Sequence, residues 1–197
     1  SAVRAAALKA LGALGDVGDV PLLAEKAATA GGTEKIAARQ SLVRLAGDQV
    51  NGAIVSAMDE GKPAIRAALL DVLALRNAKE ALPHVFQYTK DSDATVRLAA
   101  LDALRFLADE SHTAKLVEIL KGAEGEPERR AAELALLVVC SRGREACAEA
   151  IVAGLAEADV PSRVALLPAL ARAGGDMARK EMVARLDDPD QAVRDEA

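Results

Sequence analysis

Apolar residues recur along this chain in a helical rhythm, and its clearest copy lies between Asp91 and Ala108. Taking Arg97 as position 0 and turning about 100° per residue, positions −1, +3, +4, +6, +7 and +10 fall on one side of a helix. They hold Val96, Ala100, Leu101, Ala103, Leu104 and Leu107, all apolar. Positions +1, +2, +5, +8 and +9 fall opposite. This is an amphipathic helix whose apolar face mixes large residues with alanines, so that neighbouring backbones can approach closely.

The same pattern recurs from end to end. Aligned on the marker, the copies place position 0 at Arg4, Lys35, Arg66, Arg97, Arg129, Arg163 and Arg194, at intervals of 31 to 34 residues. A constant period of this size predicts a solenoid, each unit one supersecondary element stacked on the next. The first marker helix is expected over 2–14, stopped by Gly15. A second follows with Pro21 in its first turn, where the missing amide hydrogen costs nothing, and ends at Gly31 and Gly32. Each repeat is therefore two helices. The remaining pairs are expected at 33–46 with 48–59, 63–76 with 78–89, 93–108 with 112–121, 127–140 with 144–157, and 161–173 with 177–186. One pair cannot bury its apolar face alone, so the stack is the folding unit. The whole chain, 1–197, is thus expected to form a single all-α array, a right-handed α-α superhelix of about six helical pairs.

Composition agrees with an all-α fold. Apolar residues make up 51% of the chain but are mostly Ala, Leu and Val, with two Phe, one Tyr and no Trp. Ala and Leu head the helix propensities, while residues favoured in strands are sparse. No apolar run approaches the roughly 20 residues of a membrane span, so no membrane insertion is expected, and the first residues do not read as a secretion signal. The net charge of −5, with both signs interspersed, argues against nucleic acid, which needs a basic stripe. Cys140 and Cys147 lack zinc or haem spacing and read as buried free thiols; a disulfide across the turn at 141–144 is the alternative.

The marker residue sits at the edge of the apolar face, where a solvated charge gains little. Asp91 and Asp188 stand six residues before Arg97 and Arg194, in the turn that leads into the helix. Arg4, Lys35, Arg66, Arg97, Arg129, Arg163 and Arg194 are therefore read as a structural ladder with Asp91 and Asp188. In it, each guanidinium fork reaches turn carboxylates and carbonyls of its own or the adjacent repeat and sets the repeat-to-repeat angle.

The motif VRxAAxxAL, preceded by Asp and followed by LxxLG, then by a Pro-containing helix such as GDVPLLAEKA or KEALPHVFQYT, resembles HEAT repeats. It is most similar to the short bacterial HEAT-like form found in phycobilisome lyases and in many bacterial scaffold proteins. The resemblance spans the chain. Tetratricopeptide and ankyrin repeats have nearby periods, but their signatures are absent. What the resemblance implies is a fold used mostly as a binding platform, with unrelated partners.

The copies are unequal. Lys35 and Glu34 replace the Arg and the preceding Val in the second, and Glu128 takes the Val slot in the fifth. The sixth carries Pro168 inside its helix, where a lost hydrogen bond of about 3 kcal/mol predicts a kink and a change of superhelical twist. Neither end supplies a polar cap, so the chain is expected to be part of a longer array or multidomain protein; end-to-end dimerisation is the alternative.

No converging set of catalytic groups is found, so the protein is read as a non-enzyme, with no cofactor or metal. His84 and His112 lie on different helices and neither is followed by Glu, so the His-Glu pairs of HEAT-type metal hydroxylases are missing. The aromatic and basic groove residues of HEAT-like DNA glycosylases are missing too. What remains is the outward stripe of the marker helices, which in HEAT-type solenoids usually line the concave surface. Leu75, Leu98, Phe106, Leu134 and Val138 form its apolar centre, with Arg44, Asp71, Asp102, Arg130 and Arg172 around them. An apolar cluster rimmed by charge fits a peptide or protein partner. The expected function is a protein-binding scaffold. Two other readings are a regulatory or substrate-positioning module of a larger enzyme, lyase-type HEAT proteins included, and a structural spacer.

Overall fold

The computed structural model describes residues 1–197 as α-helices and short 3-10 turns, with no strand. Seven helices carry a marker residue: α1 (Ala2–Leu14), α3 (Gly32–Arg44), α5 (Pro63–Leu75), α7 (Ala94–Leu107), α9 (Glu126–Gly143), α11 (Val160–Ala173) and α13 (Gln191–Glu196). Between them run α2 (Val20–Thr29), α4 (Val50–Asp59), α6 (Leu82–Tyr88), α8 (Thr113–Lys121), α10 (Ala148–Ala156) and α12 (Gly175–Arg185). Local chemistry sets the boundaries. Asp159 and Asp190 cap α11 and α13 through backbone N–H groups of Ser162 and Ala192, at 3.0 and 2.9 Å. Pro21, Pro63 and Pro161 sit in the first turns of α2, α5 and α11. No helix is long and apolar enough to cross a membrane.

The chain divides into two compact units, Ser1–Leu107 and Ala108–Ala197. In the first, the marker helices pack successively, α1 on α3, α3 on α5 and α5 on α7, with α2, α4 and α6 behind them. Ala37, Leu42, Leu69, Leu73, Val96 and Leu104 meet Ile54, Met58 and Val85 in its core, all fully buried. In the second, α9, α11 and α13 form the marker layer against α8, α10 and α12. Its core joins Ala132, Leu136, Leu166, Leu170 and Val193 to Leu116, Leu120 and Ile151. Small residues allow the approach the sequence predicted: a Cβ on Gly12 would lie 2.7 Å from the Cα of Ser41, so α1 and α3 touch there backbone to backbone.

The helix boundaries differ from the sequence reading in two ways. Helix α9 runs on to Gly143 through the turn expected at 141–144. The Ser141 hydroxyl donates back to the Leu137 carbonyl at 2.7 Å, and Arg142 Nη2 is anchored on the Ala108 carbonyl at 2.7 Å, so the last turn is held helical. The reversal falls instead on Arg144, at φ 53°. Several of the second helices also begin with a 3-10 turn. Asp16 and Asp109 accept from Gly18 and Ser111 N–H groups at 2.8 and 3.1 Å and tighten the chain before α2 and α8 start. Helix α11 continues through Pro168, which is only half-buried, so the Val164 carbonyl deprived of its usual donor lies toward the wetter side.

Candidate functional site

The stripe opposite the apolar face is built in each unit by side chains one and two turns apart on the marker helices. In the first unit, Leu75 on α5 and Phe106 on α7 occupy the same register, +9, on two helices that pack together. They are 53% and 55% exposed, high for side chains of this size. Leu98 is half-buried about two turns nearer the start of α7, at register +1, and Ile36, at the same register on α3, is exposed. Arg44 is exposed at the end of α3.

The acidic rim is not free. Arg39 holds Asp71 by a two-pronged pair, Nη2 to Oδ1 at 2.7 Å and Nε to Oδ2, across α3 and α5. Arg105 holds Asp102 within α7, and its guanidinium carbon lies 5.6 Å from the centre of the Phe106 ring. In the second unit Leu134 is exposed, Val138 is half-buried, and Arg130 and Arg172 are exposed.

The marker residues fall into three kinds of contact. Arg97 Nη1 donates to the Asp91 carbonyl at 2.8 Å and to the Ser92 carbonyl at 3.2 Å. The Asp91 carboxylate, itself almost wholly buried, takes Arg66 Nη1 from the preceding repeat at 2.6 Å on one oxygen and the Asp93 N–H at 2.8 Å on the other. Arg194 repeats this on the carbonyls of Asp188 and Pro189, at 2.6 and 2.9 Å. The Asp188 carboxylate accepts the Asp190 N–H and faces Arg163 and Arg185, at 3.5 and 3.3 Å. That N–H and the two guanidiniums hold the Asp188 carboxyl below the usual carboxylate range. Elsewhere the aspartate is missing from the sequence and the contacts change: Arg4 reaches Glu34 on α3 at 2.9 Å, and Arg129 reaches Glu126 in its own first turn at 3.2 Å. Lys35 has no such partner.

Sequence reasoning missed Arg76. It lies at +10 from Arg66, a position that is apolar in the central copy. Its Nη1 donates to the carbonyls of Leu42, Val43 and Leu45, at 2.6, 3.0 and 2.9 Å, closing the C-terminal end of α3. Its Nε donates to the Asn51 side chain. A charge standing where the repeat calls for leucine was the available signal. Tyr88 was missed as well; it is buried and donates to Asp59 at 2.7 Å, and burial first, then that carboxylate, pushes its phenol far above the ordinary value.

Cys140 and Cys147 are free and buried, and burial, then the neighbouring Cys147, pushes the Cys140 thiol far up. His112 Nδ1 lies 2.8 Å from Asp109 at a turn start, and His84 is half-buried on α6. No group of three or more acidic, His or Cys side chains is arranged to hold a metal ion.

A family model described as HEAT repeats matches residues 52–137. No curated protein matches the chain. Among solved structures, the complex of CpcE and CpcF of phycocyanin lyase from Nostoc sp. PCC7120 is similar, with 24% identity and a TM-score of 0.39 over 98% of this chain and 73% of that one. Residues 52–137 therefore match HEAT repeats, and helical pairs of the same kind continue on both sides of them.

Proposed function

We propose that this chain is a non-enzymatic scaffold that binds a peptide or protein segment on the outward face of its marker helices. The observation that carries this reading is the pairing of Leu75 and Phe106, each more than half exposed at one register of two packed helices. A folded chain forgoes stabilisation by leaving such side chains in water, at roughly 25 cal/mol per Å² of apolar surface. Exposed apolar side chains that recur in register and carry a charged rim mark interaction surfaces. Repeat arrays present extended surfaces of this kind to their partners.

The test is affinity capture from a lysate of the source organism, run in parallel with the parent chain and with Phe106→Glu. Circular dichroism first establishes that the variant is folded. The expected result is a protein retained by the parent and lost by the folded variant. If the two retain the same set, or nothing is retained, this face is not the recognition surface and the proposal fails.

A further inference from the structure

On the marker face of the first unit, α3 and α5 line an open groove of about 470 Å³, with Ala27 and Ala28 of α2 and Thr95 of α7 at its edges. Its floor is made of Ala64, Ala67 and Ala68, and the exposed side chain of Ile36 forms one wall. Three alanines within the first two turns of α5, where longer side chains could stand, leave room for one apolar side chain from outside. Lys35 stands on the rim.

Charge decides what else the occupant carries. The one carboxylate in the groove, Asp71, is taken on both oxygens by Arg39. Lys35 is exposed and unpaired, whereas Arg4 and Arg66 on the neighbouring marker helices each hold a carboxylate. Glu60, six residues before Arg66 in the place that Asp91 holds before Arg97, does not reach it. Lys9 on α1 and Arg44 on α3 are likewise exposed and unpaired. This part of the stripe therefore presents uncompensated positive charge beside an apolar floor, on a chain whose net charge is −5. A polyanion such as nucleic acid or an anionic bilayer would be repelled by the rest of the surface, while a short segment carrying one or two carboxylates would feel chiefly these local cations.

Resting on the scaffold reading above, we infer that the groove between α3 and α5 binds an acidic linear peptide. The peptide places one apolar side chain on the alanine floor and a nearby carboxylate on Lys35. Its Lys35 contact is charge-assisted and specifies the motif, and the alanine floor limits the size of the anchor.

The experiment is selection of a random peptide library, displayed on phage, against the full chain. Binding of the synthetic consensus peptide is then measured on Lys35→Glu, Lys35→Arg, Ala67→Trp and Phe106→Glu, each checked for folding by circular dichroism. The expected consensus pairs Asp or Glu with an apolar residue. Its affinity falls at least about tenfold on Lys35→Glu, survives Lys35→Arg, and is lost when Ala67→Trp fills the groove. Should Ala67→Trp unfold, the contrast between Lys35→Glu and Lys35→Arg decides alone. A neutral or basic consensus overturns the inference, as does a peptide indifferent to Lys35→Glu. If that peptide is lost on Phe106→Glu, the scaffold reading survives; if it is indifferent to all four changes, both fail. A library that enriches nothing also overturns the inference.

Discussion

The ladder at Arg66, Asp91 and Arg97 and the ladder at Arg163, Asp188 and Arg194 are written with the same residues at the same spacing, one in each compact unit, yet their aspartates are held differently. In the first, one guanidinium carries the buried carboxylate at 2.6 Å, and the Asp93 N–H satisfies the other oxygen. In the second, Arg163 lies farther off, at 3.5 Å, and Arg185 from the end of α12 shares the load at 3.3 Å. A repeat motif thus fixes which groups meet, while the neighbouring helix decides how many partners share a buried charge. Redundancy is the difference between the two units.

That difference is open to a direct test, and the largest effect belongs to the unit without redundancy. Arg66→Ala strips the only cation from a buried carboxylate and should cost about 3 kcal/mol, the scale expected when one member of a buried pair is removed. Arg163→Ala leaves Arg185 in place and should cost about 1 kcal/mol or less, that of an ion pair at 3.5 Å whose carboxylate keeps another cation. Hydrogen exchange on the full chain, followed separately in α5–α7 and α11–α13, reads both. The double change Arg163→Ala with Arg185→Ala should restore a loss of about 3 kcal/mol, more than the sum of the two single changes. Equal losses for Arg66→Ala and Arg163→Ala would break the comparison.

Acid sharpens it from the other side. The folded Asp188 carboxyl titrates below its ordinary value of 3.8, chiefly because of the Asp190 N–H and then Arg185. A carboxyl depressed on folding stabilises the folded state above its unfolded value and loses that contribution as pH falls through the folded one. Protection in α11–α13 should therefore decline as the pH drops below about 4. Asp188→Asn should make that decline shallower without abolishing it, because the Asp159 carboxyl, held low by Ser162, titrates in the same unit. An unchanged slope would show that the Asp188 cluster contributes nothing to acid stability.

The helical pairs and their order were legible because each helix needs an apolar face and the period repeats it. The approach of Arg97 to the Asp91 turn was legible too, since six residues separate a turn from the second helical turn after it, within reach of an arginine. Three things were not. Arg76 could not be assigned, because its targets are main-chain carbonyls of α3, thirty-odd residues earlier in sequence and without a side-chain signature. Asp71 and Asp102 read as open rim charges, but each lies beside an arginine that the outward positions alone do not pair with it. The second cation on Asp188 depends on where α12 ends, at Arg185, a boundary that a residue or two of fraying would move.

The smallest effects concern the carbonyl half of each ladder, which the two units share. Arg97 and Arg194 each place one nitrogen on two turn carbonyls. Both substitutions to alanine should lower local stability by about 1 kcal/mol, because carbonyls at the entry to a helix lose a charged donor but keep access to water. Arg105→Ala removes a pair with an Asp102 side chain that is 56% exposed, and surface pairs contribute about 0.5 kcal/mol. Arg97→Ala should therefore lower the unfolding midpoint more than Arg105→Ala does, with Arg194→Ala matching Arg97→Ala in the other unit. If Arg97 and Arg105 prove equal, the marker arginine is a surface residue that happens to repeat, and the contrast between the two ladders rests on the aspartates alone.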